Sequence, residues 1–323
     1  PAATHRKFLA HGAPRASNGC MVLAPSADLD TSVDLVATLL GAQAPALADL
    51  PIRPHASGWD NDTYRLGETL AVRLPRREAA VPSIADEVRW LPVLGQFLTL
   101  RTPQPIVVGT PSQAFGRPWA VVEFIQGTPI SSVPVAERTS FAPQLADFLW
   151  SLHVPAPASA PVNPARGGSL ARPATAERVR DRLAQLTEAG SGDLADALQP
   201  RWEAWVAAPD FDGVDAWVHG DLHPHNMLRG DDGQLAGVID WGDMTAGDPA
   251  CDLATAWLTF DDAGRAAFRG QIDEGGAVDA ATWTRAKAWA LHLGLILTTM
   301  SDDHPWLTAI GRHALNGVAS ESD

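Results

Sequence analysis

Apolar side chains recur at helical spacing in one stretch of this chain after another, with two short interludes of strand-like pattern. After Asp30-Thr31-Ser32, short polar residues of the kind that cap helix starts, Val33, Val36, Ala37 and Leu40 share one face. That spacing predicts a helix over 32–41, ended by Gly41. Residues 63–66 and 70–74, joined at Gly67-Glu68, predict two short strands. Residues 78–98 return to a helical stripe through Val88, Leu91, Leu94 and Leu98, with Pro82 in the first turn and Pro92 bending the helix. Two further strands are predicted at 105–108 and 119–124, and Gly127-Thr128-Pro129 then breaks the pattern.

Beyond a linker at 125–129 the pattern is mainly helical. Leu145, Phe148, Leu149 and Leu152 form one buried stripe that His153-Val154-Pro155 ends. Residues 155–173, rich in Pro, Ala, Gly and Ser, predict a surface loop. Helices are predicted near 175–189, 193–207, 250–259, 263–273 and 281–300. The apolar run 288–300 contains His292 and starts beside Lys287, so it reads as a buried helix and not a membrane span. No internal repeat is present. A strand-rich first part before a helix-rich second part predicts an α+β chain of two lobes with a cleft between them.

Composition narrows the partners. The chain has 323 residues, is 46% hydrophobic and carries a formal charge of −14. It is long and apolar enough for a sizeable core, and too acidic to expect nucleic acid as a partner. The acid excess suits a cationic ligand through long-range attraction, and equally suits plain solubility. Cys20 and Cys251 are far apart and form no disulfide or zinc framework, which points to a reducing, cytoplasmic setting. Arg6 and Lys7 are not followed by a long apolar core, so no secretory signal is read there, and residues 1–25 read as a poorly ordered leader.

The chemistry concentrates in WVHGDLHPHNMLRGDDGQLAGVIDWG, residues 217–242. Asp221, Asn226 and Asp240 follow one another as a carboxylate, an amide and a second carboxylate closing an apolar run. Magnesium-dependent phosphoryl transfer needs a carboxylate facing the acceptor hydroxyl, with an amide and another carboxylate for Mg²⁺. The apolar segments 216–218 and 235–239, flanking a turn at Gly230-Asp231-Asp232-Gly233, predict one hairpin that gathers all three side chains. HGDLHPHN followed by IDWG is similar to the catalytic signature of the aminoglycoside phosphotransferase family, small-molecule kinases with a bilobal protein-kinase-like fold. The resemblance extends over roughly residues 49–317. It implies a nucleotide-binding N-lobe over 26–126 and a C-lobe over 127–323 that carries the catalytic loop and the acceptor site.

Further roles follow from that resemblance. The turn around Ser57, Gly58 and Asn61 would cover the nucleotide phosphates, although one Gly and a bulky Trp59 replace a full Gly-x-Gly-x-x-Gly. Arg73 stands where kinase folds place a lysine, and Glu87 is the matching helix carboxylate. The backbone from Glu123 to Ile125 would hold the purine. ATP and GTP are both open as co-substrate. His219 and His223 would brace the catalytic loop, as would Asp252 with Asp248 nearby. Asp243, Asp261, Asp262, Glu274, Asp302 and Asp303 are acidic candidates for contacting the acceptor's ammonium groups, and equally ordinary surface residues. Trp257, Trp283, Trp289 and Trp306 either line an apolar acceptor pocket or belong to the core.

The leading reading is a Mg²⁺-dependent kinase, monomer or homodimer, for a hydroxyl of an aminoglycoside-type antibiotic, with a macrolide, a sugar, choline or homoserine as other acceptors. Two readings of other classes compete with it. One is a zinc hydrolase built on His219, His223 and His225. The other is a nucleotide-binding pseudokinase, suggested by Arg73.

Overall fold

The computed structural model describes residues 26–276, 278–301 and 304–321. The expected leader, Cys20, Asp302 and Asp303 lie outside the described residues.

The first half is a five-stranded antiparallel sheet between helices. Strands β1 (Ile52–Ser57), β2 (Asn61–Leu66), β3 (Leu70–Pro75), β4 (Pro105–Gly109) and β5 (Trp119–Glu123) lie in the order β1-β2-β3-β5-β4. Helix α1 (Val33–Gln43) starts where the cap signal placed it: the Ser32 side chain accepts the Leu35 N–H. Its Leu35, Val36, Leu39 and Leu40 pack with Tyr64, Leu66, Val72, Leu74 and Trp119 on one sheet face. Helix α2 (Val81–Leu94) covers the other face, packing Ile84 on Ala71, Ala120 and Val122. It ends at Leu94, short of the expected residue 98, and Pro92 lies inside its last turn.

Strand β1 was not foreseen. It is an edge strand, exposed along most of its length and interrupted by Pro54, so it lacks the alternating apolar signal of a half-buried strand. The expected linker contains a two-residue strand, β6 (Thr128–Pro129), that leads into the second half.

Helices α3 (Ala142–Leu152), α4 (Pro173–Glu188), α5 (Gly192–Val206), α6 (Ala250–Leu253), α7 (Thr255–Thr259), α8 (Asp262–Gly275), α9 (Ala280–Thr299) and α10 (Pro305–Ser320) build the rest. Helix α9 is buried nearly all round, as its apolar run predicted. Helix α10 had not been read, although Ile310, Ala314 and Val318 repeat every fourth residue and are buried. Among the described residues, no helix is long and apolar enough to cross a membrane.

One strand pairing corrects the sequence reading. Strand β7 (Ala216–Val218) does not form a hairpin with β9 (Leu235–Val238). It pairs antiparallel with β10 (Thr245–Gly247), while β9 pairs with β8 (Met227–Arg229) across the Gly230–Gly233 turn. A three-residue strand directly before the loop has too little pattern to reveal its partner. The signature therefore bridges two small sheets.

Candidate active site

The segment from β7 to β10 holds its shape through bonds that engage nearly every polar group near Asp221. After β7 the chain turns at Gly220, whose φ of 85° suits glycine. A Cβ there would lie 2.5 Å from the Asp243 carbonyl oxygen. The Asp252 carboxylate, fully buried on α6, accepts the N–H groups of His219 at 2.8 Å and Gly220 at 2.9 Å. His153, at the end of α3, comes within 3.3 Å of the same carboxylate.

His219 uses both ring nitrogens. Its Nδ1 accepts the Asp221 N–H at 3.2 Å, which leaves Nε2 to donate to the Ile239 carbonyl at 3.1 Å. The Ile239 N–H in turn donates to the Asn226 carbonyl at 2.9 Å. These bonds tie Asp221, Asn226 and the residue before Asp240 into one unit.

Asp240 is the one non-glycine residue with positive φ among the described residues, at 63°. That conformation is costly for a side-chain-bearing residue and marks an over-determined position. Trp241 accounts for it: its ring is buried against His219 and Phe148, and its Nε1 donates to the Val238 carbonyl at 3.0 Å. With Ile239 and Trp241 both pinned, Asp240 is turned outward and its side chain stays 58% exposed. From β3, Arg73 reaches Asp240 at 3.6 Å and forms a close buried ion pair with Glu87.

The electrostatics follow from burial and charge. Burial pushes Glu87 up to about 7, and Arg73 offsets only part of that. Burial works against charged Arg73, but Glu87 and Asp240 hold it above its usual value. Burial also works against ionised Asp221, yet His223, Arg166 and His219 hold it below the usual carboxylate range. Asp243 is raised by burial and by Asp221 and Asp240, against the pull of Arg166.

Not every expected residue joins this centre. Ser57 and Asn61 flank the turn from β1 to β2, where the Gly58 N–H donates to the Asn61 carbonyl at 2.9 Å and Arg76 binds the Gly58 carbonyl at 2.6 Å. Glu123 ends β5 with its side chain 3.4 Å from Arg101, and Ile125 is buried against Gly237. Asp243 lies beside Asp221, but Asp261 and Asp262 serve their own helix. Asp261 caps α8 through the Gly264 N–H, and Asp262 pairs with Arg265. Trp257, Trp283 and Trp289 are core, whereas half-buried Trp306 stacks on His225 with ring centroids 3.6 Å apart. Burial, aided by His223 and His304, pulls His225 down to about 4.

The zinc arrangement is not found: among the described residues no group of three His, Cys, Asp or Glu is placed to hold a metal. His219 is spent on the backbone, His223 lies 3.4 Å from Asp221, and the His225 Nδ1 lies 3.0 Å from the Ser131 hydroxyl. Sequence reasoning missed Arg166 and Asn163, which contact Asp243 at 2.7 and 2.8 Å from the loop before α4. It also missed the anchoring roles of Trp241 and His153. For Trp241 the signal was available, a large apolar residue directly after a strand-end aspartate.

A five-stranded antiparallel sheet followed by a mainly helical part that carries this loop defines the class: a chain of protein-kinase-like fold. The family model described as "phosphotransferase enzyme family" matches residues 51–289, and this chain belongs to that family. It is 32% identical to viomycin phosphotransferase from Streptomyces vinaceus over 211 residues, 60% of this chain and 69% of that protein. It is 25% identical over 233 residues, 65% and 69% of the two chains, to the uncharacterized protein YcbJ of Bacillus subtilis (strain 168). Its fold is shared with a GDP complex of aminoglycoside 2′-phosphotransferase-IIIa, with TM-score 0.66, 19% identity, and 88% and 96% of the chains covered. It is shared also with macrolide 2′-phosphotransferase MphH from Brachybacterium faecium, with TM-score 0.58, 23% identity, and 90% and 100% covered.

Proposed function

We propose that this enzyme moves the γ-phosphoryl group of ATP or GTP to a hydroxyl of a small-molecule antibiotic, with Mg²⁺ as cofactor. The observation that carries the reading is the bonding of Asp221, Asn226 and Ile239-Asp240 into one rigid unit opposite the Arg73–Glu87 pair.

In this reading Asp221 orients the acceptor hydroxyl and takes its proton as the new P–O bond forms and the β–γ bridge breaks. Asn226 and Asp240 are the metal residues. The Asn226 amide donates to the Asp221 carbonyl at 3.0 Å, so its oxygen faces elsewhere, and with the exposed Asp240 carboxylate it offers the hard oxygen donors that suit Mg²⁺. When bound, the ion neutralises phosphate charge. Arg73, held by Glu87, contacts the phosphates, the turn at Ser57, Gly58 and Asn61 covers them, and the backbone at Glu123–Ile125 meets the base. His219, His223 and Asp252 keep the loop rigid. Structural neighbours solved with GDP, ATP and ADP support a nucleotide donor, and dependence on such a donor fits the proposal of a cytoplasmic enzyme.

The acceptor class is drawn from the relatives, named for viomycin, aminoglycosides and macrolides. Purified protein with MgATP and MgGTP is to be assayed against these three classes. Asp221→Asn should lose about 10²–10⁴-fold in kcat while binding MgATP within threefold of wild type. Full turnover by that variant would remove Asp221 from the chemistry.

A further inference from the structure

The residues between α3 and α4 were expected to be a plain surface loop, and part of that loop is docked beside the site. Backbone bonds join Ala246 N–H to the Pro161 carbonyl and Asp248 N–H to the Gly167 carbonyl, each at 2.8 Å. The Asn163 N–H donates to the Thr245 hydroxyl at 2.9 Å, and its amide to the Asp243 carboxylate at 2.8 Å. Gly167 and Gly247 touch so closely that a Cβ on Gly247 would lie 2.3 Å from the Gly167 carbonyl oxygen. The loop therefore has one register relative to β10, three residues of which follow closely on Asp240.

From this loop Arg166 runs back over Gly220. A Cβ at Gly220 would approach the Arg166 Cγ to 3.1 Å, so the bare glycine leaves room for the arginine stem. Its Nη2 lies 2.7 Å from Asp243 Oδ2 and 3.9 Å from Asp221 Oδ1. The other Asp221 oxygen, Oδ2, faces His223 Nε2 at 3.4 Å and the Asn226 amide at 3.5 Å. The two oxygens of Asp221 are thus approached by different groups, one from a distant loop and the other from its own. Arg166 also stands between two carboxylates that would repel each other without it.

We propose that Arg166 is a positioning residue for phosphoryl transfer, biasing the rotation of the Asp221 carboxylate through the charge it presents to Oδ1 while anchored on Asp243. The proposal rests on the reading of Asp221 given above. Both contacts run through one nitrogen, Nη2, and the ammonium of a lysine, one atom shorter in its stem, stops short of that place between the two carboxylates. If Arg166 only fastened the loop, its loss would lower stability and leave the turnover of folded enzyme unchanged.

The test compares Arg166→Ala and Arg166→Lys with wild type and Asp221→Asn. Turnover is read on the best acceptor of the panel above and on MgATP hydrolysis, where water replaces the acceptor. Arg166→Ala should lower kcat about 30- to 100-fold, within the range of lost positioning, with the KM for MgATP within threefold. Arg166→Lys should melt within a few degrees of wild type and still lose about tenfold in kcat. A folded Arg166→Ala with kcat within twofold of wild type, beside an inactive Asp221→Asn, overturns the proposal and leaves the phosphotransfer reading standing. Should the alanine variant fail to fold, wild-type kcat in Arg166→Lys overturns it instead. An active Asp221→Asn removes both readings together.

Discussion

Replacing Asp252 by asparagine tests how rigidly the loop proposed to be catalytic is held. The carboxylate is fully buried, and each oxygen takes one loop N–H, from His219 at 2.8 Å and from Gly220 at 2.9 Å. Asparagine has nearly the same shape but only one carbonyl oxygen. Whichever way the amide is turned, its NH₂ faces one of the two loop N–H groups, donor against donor. That lost bond was to a charged acceptor, a type contributing about 1.5–3 kcal/mol, and the orphaned buried donor adds a penalty of about 1–3 kcal/mol. Removing a buried charge offsets part of this. The expected net loss is about 2–4 kcal/mol, a large share of an ordinary domain stability of about 5–15 kcal/mol. Urea unfolding followed by tryptophan fluorescence reads the stability directly. A parallel kinetic assay should show kcat reduced with the KM for MgATP nearly unchanged, because the loosened loop carries Asp221. A stability loss under about 1 kcal/mol with normal kcat would refute the reasoning, since the loop would then hold its shape without this acceptor pair.

Two further outcomes bear on the nucleotide side. Asp240→Ala should weaken MgATP binding about tenfold or more, the loss of one charged metal ligand, while leaving metal-free ATP binding unchanged; calorimetry with and without Mg²⁺ checks this, and equal MgATP affinities in the variant and wild type would exclude the metal role. Glu87, raised from 4.5 to about 7 by burial, should make stability depend on pH. Its folded form keeps a proton that the unfolded chain has released, so its contribution is full below pH 4.5, declines as pH rises to about 7, and is flat above. The total is on the order of 3 kcal/mol. Glu87→Gln should remove that slope, and denaturation curves at pH 5, 6, 7 and 8 that run parallel for variant and wild type would contradict the assignment.

What could be read from the letters is what lies close together in the chain. The order Asp221, Asn226, Asp240 was visible, and so were the helix stripes of α1, α3 and α9, because apolar period and cap chemistry are local. The Arg73–Glu87 pair was visible because kinase folds supplied its context, and the ion pair is present. The hairpin was misread because β7 is three residues long and finds its partner beyond Asp240, not across the nearest turn. Strand β1 was hidden by its exposed edge. Arg166 had no signal at all, since nothing in a Pro-, Ala- and Gly-rich stretch says which residue will meet a carboxylate 55 positions later.

This division between near and far in sequence has a functional counterpart. The end of the site proposed to face the phosphates is almost closed within residues 217–252, where backbone bonds, Trp241 and the Asp252 carboxylate fix one another. A substitution there disturbs many bonds at once. The residues on the other side of Asp221 come from distant segments: Asn163 and Arg166 before α4, and Trp306 at the start of α10. Trp306 is attached through ring contacts and can be exchanged without unsettling the loop, whereas the segment carrying Asn163 and Arg166 is bound to β10 through its backbone. A fold built this way can keep one way of handling a nucleotide while its acceptor wall changes, because fold and acceptor are specified by different residues. Relatives named for viomycin, aminoglycosides and macrolides are what such a division would produce. For this chain the position to exchange is therefore Trp306, since Arg166 is tied to the Asp221 carboxylate itself, and replacing Trp306 should alter which acceptor is used before it alters how the nucleotide is held.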